Sequence, residues 1–318
     1  MNNLISRSKI KISEVNNAVC LDTEKFFLQC DKSYEEKIKS IVSKICDNEN
    51  RSRLIMLSGP SSSAKTTTSL KMKSELSKFG IEAITISMDD FFKKREDTPL
   101  MLDGSKDFES IRAIDLDLLK STLSDLLNKG GADIPIFSFR VGDRSAKTRH
   151  VDFKSDNVAI IEGLHALDTQ VTDEIPQEHI LKLYVSVSSD FVDDNCNVLL
   201  SARDIRLIRR TIRDFKYRSS TPEHTFEMWD SVCLGENMYI RPFKKNADIV
   251  LNTVFKCEPC IYLPIARTLL SSIEQCSKHF EKSSNILKAL SSFEEMPEQM
   301  IPNTCVLREF LGDSSYYI

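Results

Sequence analysis

Three observations place the chain among α/β folds with a mostly parallel sheet covered by helices on both faces. Short runs rich in β-branched residues, at 54–57, 83–88, 158–161, 181–187 and 249–252, have the length and continuous apolar character of strands buried on both sides. Segments of helical period, 116–127 and 202–217, stand between them. Between the first strand and a helix read over 65–79 lies the stretch 59–68, GPSSSAKTTT, which nearly spells a phosphate-binding loop.

Ahead of the first strand, residues 1–31 show no sustained period, whereas Ile38, Ile41, Val42 and Ile45 recur at helical spacing over 34–46. The division that follows is an N-terminal extension with one helix over 1–50, set beside the first strand, and a main domain over 51–318. Two further apolar helices, 261–273 and 286–293, fit either core or an interface between copies of the chain, so a homo-oligomer stays open.

Bulk properties fit a globular enzyme. A chain of 318 residues with 41% hydrophobic content can bury a sizeable core. Lys and Arg total 43 against 47 Asp and Glu, and the net charge of −4 argues against a nucleic-acid partner. No apolar run approaches the roughly 18 residues of a membrane span, and the polar stretch 1–12 lacks the apolar region of a secretory signal. Nine cysteines at irregular spacing read as reduced thiols of a cytoplasmic protein. Cys257 and Cys260 form a close pair without the second pair that a structural zinc site needs.

A strand, loop and helix in succession aim the loop amides and the helix N-terminus at an anion. Gly59, Ser61, Ser62, Ser63, Ala64, Lys65, Thr66 and Thr67 are the candidate nucleotide contacts, with Lys65 reaching the terminal phosphates and the Thr66 hydroxyl serving Mg²⁺. The pattern asks for glycine where this chain has Ala64, and a Cβ there is expected to crowd the phosphate.

Two acids follow strands. Asp89, in SMDDFF at 87–92, can take the proton of an attacking hydroxyl; as an ordinary turn acid it would cap a backbone amide instead. Asp89 is preferred to Asp90 because adjacent side chains of an extended strand end face opposite ways. Glu162, in IIEGLH at 160–165, is the second candidate for Mg²⁺, with His165 beside it as a supporting residue. The third cluster is basic: Arg206, Arg209 or Arg210, and Arg213 share one face of the helix 202–217. Such a run is commonly a solvated face; on an acidic protein, arginines on one helix also suit a lid that brings charge to phosphate oxygens.

In this order the clusters resemble the uridine kinase and phosphoribulokinase family of P-loop kinases. The resemblance extends through DFES at 107–110, PIFSF at 135–139, Met228-Trp229, Ala247-Asp248 and LREFLG at 307–312, and so spans about residues 35 to 317. It implies a P-loop NTPase fold with an arginine-rich lid helix, ATP and Mg²⁺ as cofactors, and a small-molecule hydroxyl as phosphate acceptor. Asp89 is then the base, Lys65, Arg209 and Arg213 attend the transferred phosphoryl group, and Thr66 and Glu162 attend the metal. Glu109, Phe137, Phe139 and Arg206 line the acceptor site.

The chain departs from the uridine kinase pattern at the acceptor. Glu109 stands where a ribose-binding acid is followed by His-Pro, and Gly142 stands where a base-reading histidine belongs. A pocket of this kind is expected to demand vicinal hydroxyls and to discriminate poorly among bases, leaving a sugar, a cyclitol or another nucleoside open. A nucleotide-binding regulatory protein, weakened as an enzyme by Ala64, is the alternative. A GTPase switch is disfavoured, because 245–248, KNAD, is not the guanine-selecting Asn-Lys-x-Asp.

Overall fold

The computed structural model describes residues 7–46, 52–101, 104 and 106–316. Its centre is a five-stranded, all-parallel sheet in the order Ile249–Asn252, Ile180–Ser186, Leu54–Ser58, Val158–Glu162, Ala83–Ser87. All five are the apolar runs named from the sequence, with no end shifted by more than one residue. The strand Leu54–Ser58 sits in the middle, buried at every position. The loop that follows it therefore opens at the carboxyl edge of the sheet, where open α/β folds collect their ligands.

Alternation along the strands divides two cores. Ile55, Leu57, Val158, Ile160, Leu183 and Val185 face one apolar cluster, while Leu54, Met56, Ala159, Ile161 and Ile86 face the other. The helix Leu116–Lys129 covers the second face, capped by the Asp115 side chain on the Leu118 amide and stopped by Gly130 in the left-handed region. On the first face lie the loop helix Lys65–Lys78, the arginine helix Ala202–Tyr217 and the C-terminal helices Glu258–Ser271 and Phe280–Leu290. Leu263, Leu269, Ile286 and Leu290 of those last two helices are spent inside the chain's own core.

The N-terminal stretch holds more structure than the single helix expected. Ser8–Lys11 is a strand, parallel to Ser189–Val192, which in turn pairs antiparallel with Val198–Leu200. Ile12–Leu21 and Thr23–Cys46 are helices. The long helix lies along the loop helix rather than beside the first strand: Tyr34 OH meets Thr68 Oγ1 at 2.7 Å, and Lys71 pairs with Glu35. Its apolar face joins the main core through Phe27, Tyr34, Ile38 and Val42. The boundary drawn at 50 falls outside the described residues.

Candidate active site

The loop is held from behind. Arg206 Nε donates to Ser61 O at 2.8 Å, Arg209 Nη1 to Ser62 O at 3.3 Å, and Thr253 Oγ1 to Ser63 O at 3.0 Å. A trans peptide sets its N–H opposite its carbonyl, so pinning the Ser61 and Ser63 carbonyls turns the Ser62 and Ala64 amides to the other side. The sequence hides this, because loop amides are aimed here by residues about 150 and 190 positions away. Ala64 has φ +69°, in the left-handed region, and its side chain is fully buried in the apolar core. The expected crowding of phosphate by Cβ is therefore corrected: the cost of alanine here is backbone strain of about 1–2 kcal/mol.

In front of the loop is a cavity of about 280 Å³ lined by Ser61, Ser62, Ser63, Lys65 and Thr66, and by Asp89, Glu109 and Glu162 across from them. Lys65 Nζ donates to Pro60 O at 3.3 Å, and burial lowers its pKa against the pull of Glu162 and Asp89. Glu162 accepts from Thr66 Oγ1 at 3.3 Å and Ser87 Oγ at 3.1 Å. Burial pushes its carboxyl up to about 7, with Lys65 acting in the opposite direction. A buried carboxylate beside a threonine hydroxyl is a hard-oxygen donor pair that fits Mg²⁺ completed by phosphate oxygens and water. A cation at Glu162 competes there with a proton.

Asp89 lines the cavity and Asp90 does not; Asp90 Oδ1 instead accepts the Phe137 amide at 3.2 Å. The geometric reason differs from the one expected, since the strand ends at Ser87 and Met88–Phe91 is a 3₁₀ turn. Ser87 Oγ caps it on the Asp89 amide. Burial raises the Asp89 carboxyl above its usual range, opposed by Lys65.

The arginine helix corrects two assignments. Most of its apolar and several of its polar residues are buried against the core, so it is a packed element of the body and not a lid standing off it. Arg209 is wholly buried, doubly bonded to Glu258 at 2.7 and 3.0 Å and donating to Thr253 O at 2.8 Å. It is absent from the cavity wall, as is Arg206, which is buried against Glu236 at 2.7 Å. Arg210, Arg213 and Arg218 are the basic groups that reach the cavity, and Arg210 Nη1 also donates to Ser61 Oγ at 2.9 Å. Residues 209 and 210 differ by about 100° around a helix axis. The helical spacing leaves both open and the family resemblance names Arg209, whereas packing brings Arg210 to the cavity.

Glu109 faces the same cavity, its pKa pushed up to about 7 by burial and held back by Arg210 and Lys65. A Cβ at Gly235 would meet Glu109 Cβ at 2.5 Å, so glycine lets the helix Pro222–Gly235 close over that acid. Phe137 and Phe139 stack edge-on at 5.2 Å, joined by Phe92, and with Phe108 they wall a side pocket of about 270 Å³. Gly142, at φ +77°, is explained by its neighbour: a Cβ there would lie 2.8 Å from Arg95 Nε. Arg95 donates its backbone N–H to Gly142 O at 2.8 Å and Nη2 to Phe139 O at 2.6 Å, and it also lines the pocket. The space that a histidine would need holds an arginine, which no local signal in the sequence announces.

The C-terminal segment adds a wall to the site. A second cavity of about 440 Å³ runs from Thr66 past Arg213 and Tyr217 to Gly312 and Ser314. Glu309 stands where the two cavities meet, and its Oε2 accepts the Thr67 N–H at 3.0 Å. That amide belongs to the first helical turn, whose N–H groups have no partner within the helix. Sequence reasoning gave Glu309 no role.

The sequence model of the phosphoribulokinase / uridine kinase family matches residues 54–258, which contain the loop, both strand-end acids and the whole arginine helix. The chain belongs to this family. Among relatives, it is 26% identical over 203 residues to a uridine kinase of Macrococcus caseolyticus, covering 64% of this chain and 88% of that one. It is 29% identical over 199 residues to a uridine kinase of Bacillus pumilus, covering 62% and 85%. A solved structure described as a possible uridine kinase from Bacillus stearothermophilus aligns with a TM-score of 0.45 at 17% identity, over 68% of this chain and 97% of that one. Phosphoribulokinase from Rhodobacter spheroides aligns at 0.42 and 18%, over 64% and 70%. The match of the family model ends at the residue that anchors Arg209, Glu258, so the C-terminal segment with Glu309 and the helices before Leu54 lie beyond it.

Proposed function

We propose that this family member transfers the γ-phosphoryl group of Mg·ATP to a hydroxyl of a small polyhydroxylated metabolite. The observation that carries the reading is the convergence of Lys65, Asp89, Glu109, Glu162, Arg210 and Arg213 on one cavity in front of the loop. ATP supplies the phosphoryl group and the metal neutralises its charge, held on the protein side by Thr66 and Glu162. Lys65, Arg210 and Arg213 place positive charge on the phosphate side of the cavity, where it opposes charge developing in the transition state. Asp89 accepts the proton of the attacking hydroxyl, and the rise of its pKa on burial makes it the better base. Glu109 accepts hydrogen bonds from a vicinal diol. The aromatic side pocket takes an apolar or flat portion of the acceptor, with Arg95 offering donors at its far end.

The test is substrate-stimulated ADP release over a panel of nucleosides, sugars and cyclitols. At least one vicinal diol should stimulate release, and the matched deoxy compound should not. Asp89→Asn should lower turnover by about 10² to 10⁴ with little change in ATP affinity. ADP release indifferent to every acceptor, or untouched by that substitution, removes the reading in favour of a regulatory nucleotide-binding protein. Efficient uracil-selective phosphorylation would show that Arg95 or a neighbour reads the base.

A further inference from the structure

A cavity of about 410 Å³ that shares no lining residue with the candidate active site lies between the N-terminal helices and the segment Asn252–Lys256. It lies outside the fold element that carries the loop and is closed largely by residues ahead of the family match. Its wall is unevenly charged. Lys9, Lys37 and Lys256 border it against a single carboxylate, Glu14. None of the three lysines has an ion-pair partner among the described residues; Lys37 and Lys9 donate only to backbone carbonyls, Asn252 O at 3.2 Å and Cys196 O at 3.3 Å. Half-burial and the nearness of Lys256 lower the pKa of Lys37, with Cys30 opposing, so an anion placed between the two lysines would favour their charged forms. Phe26, Tyr34 and Phe255 lie buried beneath it, with the last two rings 5.3 Å apart.

The same segment reaches the phosphate loop from its other face. Thr253, one residue past Asn252, holds Ser63 O through its hydroxyl and receives Arg209 on its carbonyl. Phe255 donates its amide to Glu258, the partner of Arg209. Tyr34, in the cavity wall, is bonded to Thr68 on the loop helix. A ligand that shifts either Tyr34 or the Asn252–Lys256 segment therefore acts on groups that set the loop's carbonyls.

We infer that this cavity is a second ligand site, separate from the candidate active site, for a phosphate monoester with a flat apolar group, and that its occupancy changes nucleotide affinity at the loop. The lysines are compact cations with several donors each, suited to a group with many acceptor oxygens, and the rings suit a flat partner. Coupling between the two sites is reciprocal and requires no activity to be observed.

Phenyl phosphate is the probe. Calorimetric titration of the full chain should show it binding to the wild type and to Lys65→Ala, in which the loop has lost its own phosphate cation. The double variant Lys37→Gln, Lys256→Gln, checked for unchanged melting temperature, should bind it about tenfold or more weakly. Mg·ADP affinity of the wild type should shift at least about threefold at saturating phenyl phosphate, and the double variant should not respond. Binding lost in Lys65→Ala and kept in the double variant would assign the probe to the loop and overturn the second site. Absence of binding at millimolar probe, or an unmoved Mg·ADP affinity, overturns it as well. A failure of the kinase reading alone, with both ligands still bound and coupled, leaves this site standing.

Discussion

Arg209 and Arg210 are neighbours in sequence and opposites in role. Arg209 is sealed between Glu258 and the Ser62 and Thr253 carbonyls with no exposed surface, whereas Arg210 reaches the cavity wall beside Lys65 and Glu109. Burial works against the Arg209 charge, and the Glu258 carboxylate more than restores it. For Arg210 burial wins and its pKa falls, with Asp214 opposing. One face of the helix Ala202–Tyr217 thus fixes the shape of the loop, and the next presents charge to what the loop binds. Identical side chains on one helix divide into scaffold and chemistry according to what packs against them.

The sharpest way to break this comparison is to remove each guanidinium in turn. Arg209→Met leaves Glu258 buried without its partner, which costs about 3–5 kcal/mol. The expected result is a large drop in melting temperature and poor recovery of folded protein. Arg210→Ala should leave the unfolding free energy within about 1 kcal/mol of wild type, because Asp214 keeps Arg213 and Arg218 as partners, and lower turnover by about 10² to 10³. If Arg210→Ala proves the destabilising change and Arg209→Met the kinetic one, the assignment is reversed.

A smaller effect concerns Glu309. Its carboxylate occupies the Thr67 amide, one of the first-turn donors that a phosphate would need, and so places a negative charge where an anion would bind. Glu309→Gln keeps the shape and removes that charge. Equilibrium dialysis should show Mg·ADP bound about tenfold more tightly, the size of one charge-assisted hydrogen bond regained. Unchanged or weaker affinity would make Glu309 a brace of the bound state instead.

The smallest effect is at Ala64. Glycine would relieve the left-handed strain of about 1–2 kcal/mol and forfeit a buried methyl of about 0.8 kcal/mol. Ala64→Gly should therefore stabilise the protein by about 1 kcal/mol or less, read by chemical denaturation, with nucleotide affinity unchanged. A marked gain in affinity would bring back the steric objection that the buried Cβ removes.

The amino-acid sequence by itself determined the five parallel strands, the loop after the central one, the helices read at 65–79, 116–127 and 202–217, and the acids at 89 and 162. Each depends on local features: an apolar run, a period, a turn-forming stretch or a short spacing. In the first half of the helix Thr23–Cys46, Phe27, Cys30 and Tyr34 stand at helical spacing, but the exposed Leu21 and Leu28 blur the period in the sequence. Ile12, Val15 and Val19 do recur at helical spacing, but over too few turns to stand out. Only the tertiary structure decided that Arg209 is buried and Arg210 is not, that Arg95 fills the room left by Gly142, and that Glu309 returns to the first turn of the loop helix. These contacts join positions 49, 47 and 242 residues apart. Nothing in a local pattern encodes such a meeting, because it is fixed by how the layers close on one another and by the burial that the closure imposes on each charge.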